Sequence, residues 1–193
     1  MQQTTQRHSP SQPARFAHPK RNIAAIGLQQ GMRVVDFGAG SGAYVLAIAE
    51  RLQGSGTVYA VDIQRELLRR IHNEAARRGF RNVEVIWADL EMGRASKLAG
   101  ASVDLVLISN LLFQVQGKGP VLREARRILK SSGHVVVIDW YDSFKGMGPI
   151  REDVVTKDAA LALARKEGLE LLREFEAGAH HYGLILQPTM SSV

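Results

Sequence analysis

The chain has 193 residues, 45% hydrophobic and 23% charged, which predicts one soluble globular domain with a sizeable core. It contains no cysteine, so disulfides, thiolate metal sites and cysteine nucleophiles are excluded, and its six histidines lack any HExxH-type spacing that would support a metal site. A formal net charge of +6 leaves nucleic acid or another anion open as a partner.

Residues 1–15 are polar and lack the apolar core of a signal peptide. They are expected to form a disordered N-terminal tail ahead of a domain over 16–190, with the cytoplasm as the default setting. No apolar run approaches the ~18–20 residues of a membrane-spanning helix. Residues 18–28 read as a short amphipathic helix, with Pro19 in its first turn and Gly27 at its end. Strand one follows over 32–37. A helix over 42–52 carries Val45, Ile48, Ala49 and Leu52 at helical spacing. Strand two is Thr57 to Asp62. The helix over 64–78 has Leu68, Ile71 and Ala75 as its apolar stripe. Strand three is Val83 to Trp87. Residues 91–102 are ambiguous, with a short helix as one reading.

Strand four runs from Val103 to Ile108, and a helix over 118–130 turns Val121, Ala125, Ile128 and Leu129 inward. Ser131-Ser132-Gly133 are read as the turn into strand five, His134 to Trp140. Residues 141–156, with Gly146, Gly148 and Pro149, read as a mobile loop or lid. Leu169–Glu176 and His180–Leu186 are separated by three residues only, too few for a parallel crossover, so they form a hairpin and one strand runs antiparallel. Uninterrupted apolar runs in strands one, four and five suit strands covered on both faces. The fold class is therefore α/β: a Rossmann-like three-layer sandwich around a mostly parallel seven-stranded sheet with an antiparallel C-terminal hairpin strand.

The stretch Val34-Val35-Asp36-Phe37-Gly38-Ala39-Gly40-Ser41-Gly42 carries the functional signal. It ends a strand on an acid, turns through three alternating glycines and enters a helix whose unpaired N–H groups face the turn. The glycines alone also satisfy a loose dinucleotide pattern, with Asp62 placed to take ribose hydroxyls in either reading. Asp36 before the turn, the third glycine at Gly42 and the terminal hairpin favour a different cofactor. The plainer alternative for Asp36 and Asp62 is capping of the helices that follow.

With Val58-Tyr59-Ala60-Val61-Asp62, Ala88-Asp89-Leu90, Asp104 to Asn110, and Leu129-Lys130-Ser131-Ser132-Gly133 in order, the chain resembles the class I S-adenosylmethionine-dependent methyltransferases. It looks most like their small-molecule branch, the quinone-biosynthesis and arsenite-type enzymes. Ser131 and Ser132 depart from the family's Leu-Lys-Pro-Gly-Gly, at a turn remote from the cofactor. The resemblance implies S-adenosyl-L-methionine as cofactor and S-adenosyl-L-homocysteine as product. It implies that Asp36 and the backbone of Gly38 and Gly40 hold the methionine end, that Ala39 and Gly42 are also cofactor-binding, and that Asp62 takes the ribose hydroxyls. Ile63 would pack on the adenine, Asp89 and Leu90 would bind its edge, and Asn110 would offer a carbonyl near the amino group or methyl.

On the acceptor side the candidates are Phe113 and Gln114, Trp140, Tyr141 and Asp142, and His180, His181 and Tyr182. His181, Tyr182 and Tyr141 are the candidates for a catalytic role. Phe16 and the helix over 18–28 would close the site from the other side. The expected function is methyl transfer by in-line displacement to a small molecule. An RNA methyltransferase and a non-catalytic S-adenosylmethionine-binding scaffold are the alternatives.

Overall fold

The computed structural model describes residues 17–144 and 146–189. The expected tail over 1–15 and Phe16 lie outside the described residues. Helix α1 (Pro19–Ile26) opens on Pro19 and stops at Gly27, whose φ of 79° ends the helix in the left-handed region. The following elements are β1 (Arg33–Phe37), α2 (Ala43–Leu52), β2 (Thr57–Asp62), α3 (Arg65–Arg77), β3 (Val83–Trp87), β4 (Val103–Ser109), α4 (Lys118–Ile128), β5 (Leu129–Trp140), α5 (Lys157–Lys166), β6 (Leu169–Gly178) and β7 (His181–Pro188).

The sheet has seven strands in the order β3-β2-β1-β4-β5-β7-β6. Strands β1 to β5 pair in parallel, and β7 is antiparallel to both β5 and β6. The expected three-layer α/β sandwich is therefore present. The order reverses between β1 and β4, because β1 lies between β2 and β4. At such a switch point the connections leave in opposite directions and open a crevice beyond the strands' carboxyl ends.

Two apolar layers fill the two sides. One packs Ile23 of α1, Val45 and Ile48 of α2, and Leu68 and Ile71 of α3 against Val34, Val58, Leu105 and Leu107. The other packs Val121, Leu122 and Ile128 of α4 and Ala160 and Ala164 of α5 against Val35, Val61, Val106 and Val137. Alternate residues of one strand thus serve opposite layers, which is why the central strands read as unbroken apolar runs.

Four details differ from the sequence reading. Helix α5 was not expected: its buried residues are two alanines, too small to register as an apolar stripe, and Thr156 caps it by accepting from Ala159 N. Residues 91–102 form no helix; Ser96 donates to the buried Glu124 carboxylate, and Arg127 donates to Glu124 and Leu98 O. Ser131 and Ser132 lie within β5, which starts at Leu129 with a register shift against β4 where Lys130 pairs with Asp104. The hairpin connection is shorter than expected, only Ala179 and His180, with Gly178 paired to His181.

Candidate cofactor site

The glycine turn is tied to the neighbouring strand. Gly38 N and Ala39 N both donate to Val61 O, at 2.8 and 3.1 Å, and Gly40 N donates to Asp62 Oδ2 at 2.9 Å. Its three glycines do two different jobs, although all have positive φ. A Cβ on Gly42 would meet Ile71 Cγ1 at 2.5 Å, and one on Gly38 would meet Leu111 Cδ1 at 2.8 Å, so these two permit close packing. At Gly40 nothing lies closer than 3.8 Å, and its bare face opens on the crevice.

The crevice has two lobes that share Gly38, Gly40 and Gln114 as a common wall. The lobe at the ends of β2 and β3 holds about 240 Å³ and is lined by Asp62, Ile63, Asp89 and Leu90. Asp62 Oδ1 accepts from Gln64 N and Oδ2 from Gly40 N, so this side chain fixes both the turn that leads into α3 and the glycine turn. Ile63 is 54% exposed, a flat apolar surface offered to a ring. Trp87 Nε1 donates to Ile63 O, and the Arg65 guanidinium lies 3.9 Å over the Trp87 ring. Asp89 Oδ1 accepts from Glu91 N.

The lobe at the ends of β1 and β4 holds about 330 Å³ and is lined by Asp36, Ala39, Ser109 and Asn110, with Ala17 and Pro19 beside α1 as its outer wall. Asp36 is 2% exposed, and its carboxylate accepts no hydrogen bond from the described residues. Burial, and then the negative charge of Asp62, push its pKa up to about 8. Tyr44 lines the same lobe and accepts from Asn22 Nδ2 of α1 at 2.8 Å; Asn22 Oδ1 is sealed from solvent without a partner.

Nine of the ten residues expected to meet the cofactor line one lobe or the other. Gly42 does not: it serves the packing of α3 instead.

The acceptor-side candidates are divided. Gln114 lines both lobes. Phe113 packs against the core, which corrects its place among the substrate contacts. Trp140 is buried beneath the His181 ring, their centroids 4.2 Å apart. His180 stacks on Phe144, and Asp142 is exposed. Tyr141 lines a separate cavity with Arg21 and Glu176, outside the crevice.

Tyr182 is also a correction. It is 1% exposed, on the face packed by α4 and α5, and its hydroxyl donates to Val155 O at 2.9 Å. Burial pushes the hydroxyl's pKa far up, so it neither reaches the crevice nor ionises readily. His181, on the opposite face, reaches Asn110: its Nε2 lies 3.1 Å from Asn110 Oδ1.

Asp139 was not singled out in the sequence. It is buried at the end of β5, accepts from Leu112 N and Trp140 N, and holds the segment after β4 that carries Asn110 and Gln114. Burial raises its pKa to about 6. An acid inside the run Val135-Val136-Val137-Ile138-Asp139-Trp140 was the available signal.

The donor set fits S-adenosylmethionine. A buried carboxylate without a cation suits an ammonium, the bare face of Gly40 admits a close-lying ligand, and the exposed Ile63 suits a base.

Over residues 28–178 the chain matches the family described as methyltransferase domain. It is 31% identical over 166 residues to an arsenite methyltransferase of Aquipseudomonas alcaligenes, covering 83% of this chain and 46% of that protein. It is 29% identical to a demethylmenaquinone methyltransferase of Anoxybacillus flavithermus, covering 62% of this chain and 49% of that one. The chain thus spans about half the length of these curated relatives. In fold it is similar to a SAM-dependent methyltransferase from Aquifex aeolicus, with a TM-score of 0.82 at 24% identity, covering 91% of this chain and 92% of that one. The sheet order, the acid-flanked glycine turn and the family match agree, and the chain belongs to the methyltransferase-domain family as a class I, S-adenosylmethionine-dependent member.

Proposed function

We propose that the chain transfers a methyl group from S-adenosylmethionine to a small-molecule acceptor. The observation that carries this reading is the framing of Gly40: a bare backbone face between two buried strand-end acids, Asp36 and Asp62. Asp62 would take the ribose hydroxyls while keeping its backbone donors. Ile63, Asp89 and Leu90 would hold the base, and Asp36 with the turn backbone would hold the amino-acid end. When bound, the cofactor supplies a methyl already activated on a sulfonium. The chain's task is then alignment and exclusion of water, and no base is required unless the acceptor must lose a proton before attack.

A small acceptor is supported by the names of the relatives, which act on arsenite and demethylmenaquinone. It is also supported by how the basic charge is placed. Arg69 and Arg70 pair with Glu66, Arg77 and Arg78 with Glu74, and Arg123 with Glu167, so much of the helical positive charge has a local partner. This weakens the case for an RNA-binding face. No helix of the described residues is long and apolar enough to cross a membrane; a cytoplasmic setting is part of the proposal.

Thermal stabilisation by S-adenosylhomocysteine, but not by NAD or FAD, is the expected result, with the shift lost in Asp62→Ala. Absence of any shift with saturating S-adenosylhomocysteine, or a larger one with NAD, overturns the reading.

A further inference from the structure

We propose that His181 is a positioning residue that fixes Asn110 as a hydrogen-bond donor toward an oxygen of the cofactor's amino-acid end; this rests on the cofactor reading above. Asn110 sits just past β4 with φ of 53°, an unusual backbone for a residue with a side chain. Its N–H donates to Ile138 O at 2.8 Å, and its backbone carbonyl accepts from Gln114 Nε2. Its side-chain Oδ1 is 3.1 Å from His181 Nε2. Both oxygens of Asn110 are therefore engaged inside the protein. The polar group left over is Nδ2, which has no partner among the described residues and is not among the polar atoms sealed from solvent. Asn110 lines the same lobe as Asp36. The carbonyl role expected for Asn110 gives way to a donor role.

The imidazole enforces this orientation through its own accounting. His181 is 2% exposed, lies against Trp140, and its Nδ1 is sealed without a partner. A neutral ring carries one proton. On Nε2 the proton donates to Oδ1, and only a lone pair at Nδ1 is orphaned. On Nδ1 it would be a buried N–H with no acceptor, the costlier defect. The Nε2–H tautomer therefore holds, and Asn110 cannot flip its amide without setting N–H against N–H. Burial, with His180 beside it, lowers the pKa of His181 to about 4, so the ring stays neutral. With Nε2 occupied and Nδ1 walled off, the imidazole has no nitrogen free to take a proton from an acceptor.

The chemistry of the lobe then matches a zwitterion. An amino-acid tail needs an acceptor for its ammonium and a donor for its carboxylate. Asp36 supplies the first and Asn110 Nδ2 the second.

Calorimetric titration with two ligands separates this role from packing. S-adenosylhomocysteine has the amino-acid end; 5′-methylthioadenosine shares its nucleoside and thioether but lacks that end. In His181→Leu, affinity for S-adenosylhomocysteine should fall about tenfold or more, the range of a hydrogen bond to a charged group, with 5′-methylthioadenosine unchanged. His181→Gln, which still offers an N–H to Oδ1, should stay within about threefold of the parent for both. Asn110→Ala should reproduce the selective loss, so the outcome does not depend on the folding of His181→Leu. Equal losses for the two ligands in His181→Leu and Asn110→Ala, no loss at all, or a Gln variant as impaired as the Leu variant would overturn the assignment alone. A parent chain that binds neither ligand would overturn the cofactor reading with it.

Discussion

In the lobe at the ends of β2 and β3, the Asp62 carboxylate already accepts two backbone N–H groups, whereas in the lobe at the ends of β1 and β4 the Asp36 carboxylate accepts none from the described residues. The first lobe is therefore preorganised by the fold. The second retains uncompensated polarity: a buried acid raised to about 8 and an open Asn110 amide. Folding alone stabilises the lobe at Asp62, while the lobe at Asp36 is left to be completed by what it binds.

The contrast breaks most severely at Asp62. Asp62→Ala removes the two oxygens that hold the turn and that are proposed to take the ribose hydroxyls, and S-adenosylhomocysteine affinity should fall by about 100-fold or more by calorimetry. A loss under tenfold would mean that the turn is held from elsewhere.

The glycines come next. Gly42→Ala drives a methyl into Ile71 at a left-handed φ and should cost about 3 kcal/mol in chemical denaturation. Gly40→Ala meets open space and should cost only about 1 kcal/mol, yet abolish the cofactor's stabilising effect. Equal destabilisation by the two would erase the distinction between a packing glycine and a binding one.

Asp36 sharpens the comparison through pH. Its folded pKa is about 8 against an ordinary 3.8. Between those values the native state keeps a proton that the unfolded chain has lost. Its contribution to stability is thus fully present below pH 3.8 and is lost as pH rises through about 8. Asp36→Asn should flatten that decline and raise the melting temperature at pH 8. Binding of a cationic ligand draws the proton off, so parent affinity for S-adenosylmethionine should rise between pH 6 and 8, while the Asn variant binds more weakly and shows no such rise. Titrations in buffers of different ionisation enthalpy check the proton release.

The smallest effect is expected at Tyr182→Phe: about 1 kcal/mol of stability, from the lost bond to Val155 O, with ligand affinity unchanged.

The same contrast governs what could be read from the sequence. Asp36, Gly40 and Asp62 sit in one contiguous strand–turn–helix–strand unit, where residue type and spacing already imply the geometry. Asp139 and the pairing of Asn110 with His181 depend on which strand ends lie side by side, and no local spacing encodes that. His181 and Tyr182 were both candidates in the sequence, and only the packing around Val155 decided that Tyr182 faces the core. Helix α5 was hidden because alanines bury without contrast, and residues 91–102 because Glu124 and Arg127 organise them from a distant helix.

The single reversed strand has a consequence for how the site is assembled during synthesis. Because β7 runs against its neighbours, its first residue, His181, lies at the sheet edge where the other strands finish. A growing chain can thus present the glycine turn, Asp62 and Asp89 long before the residue that orients Asn110 has emerged. The contact proposed to orient Asn110 is therefore the last part of the site to be synthesised.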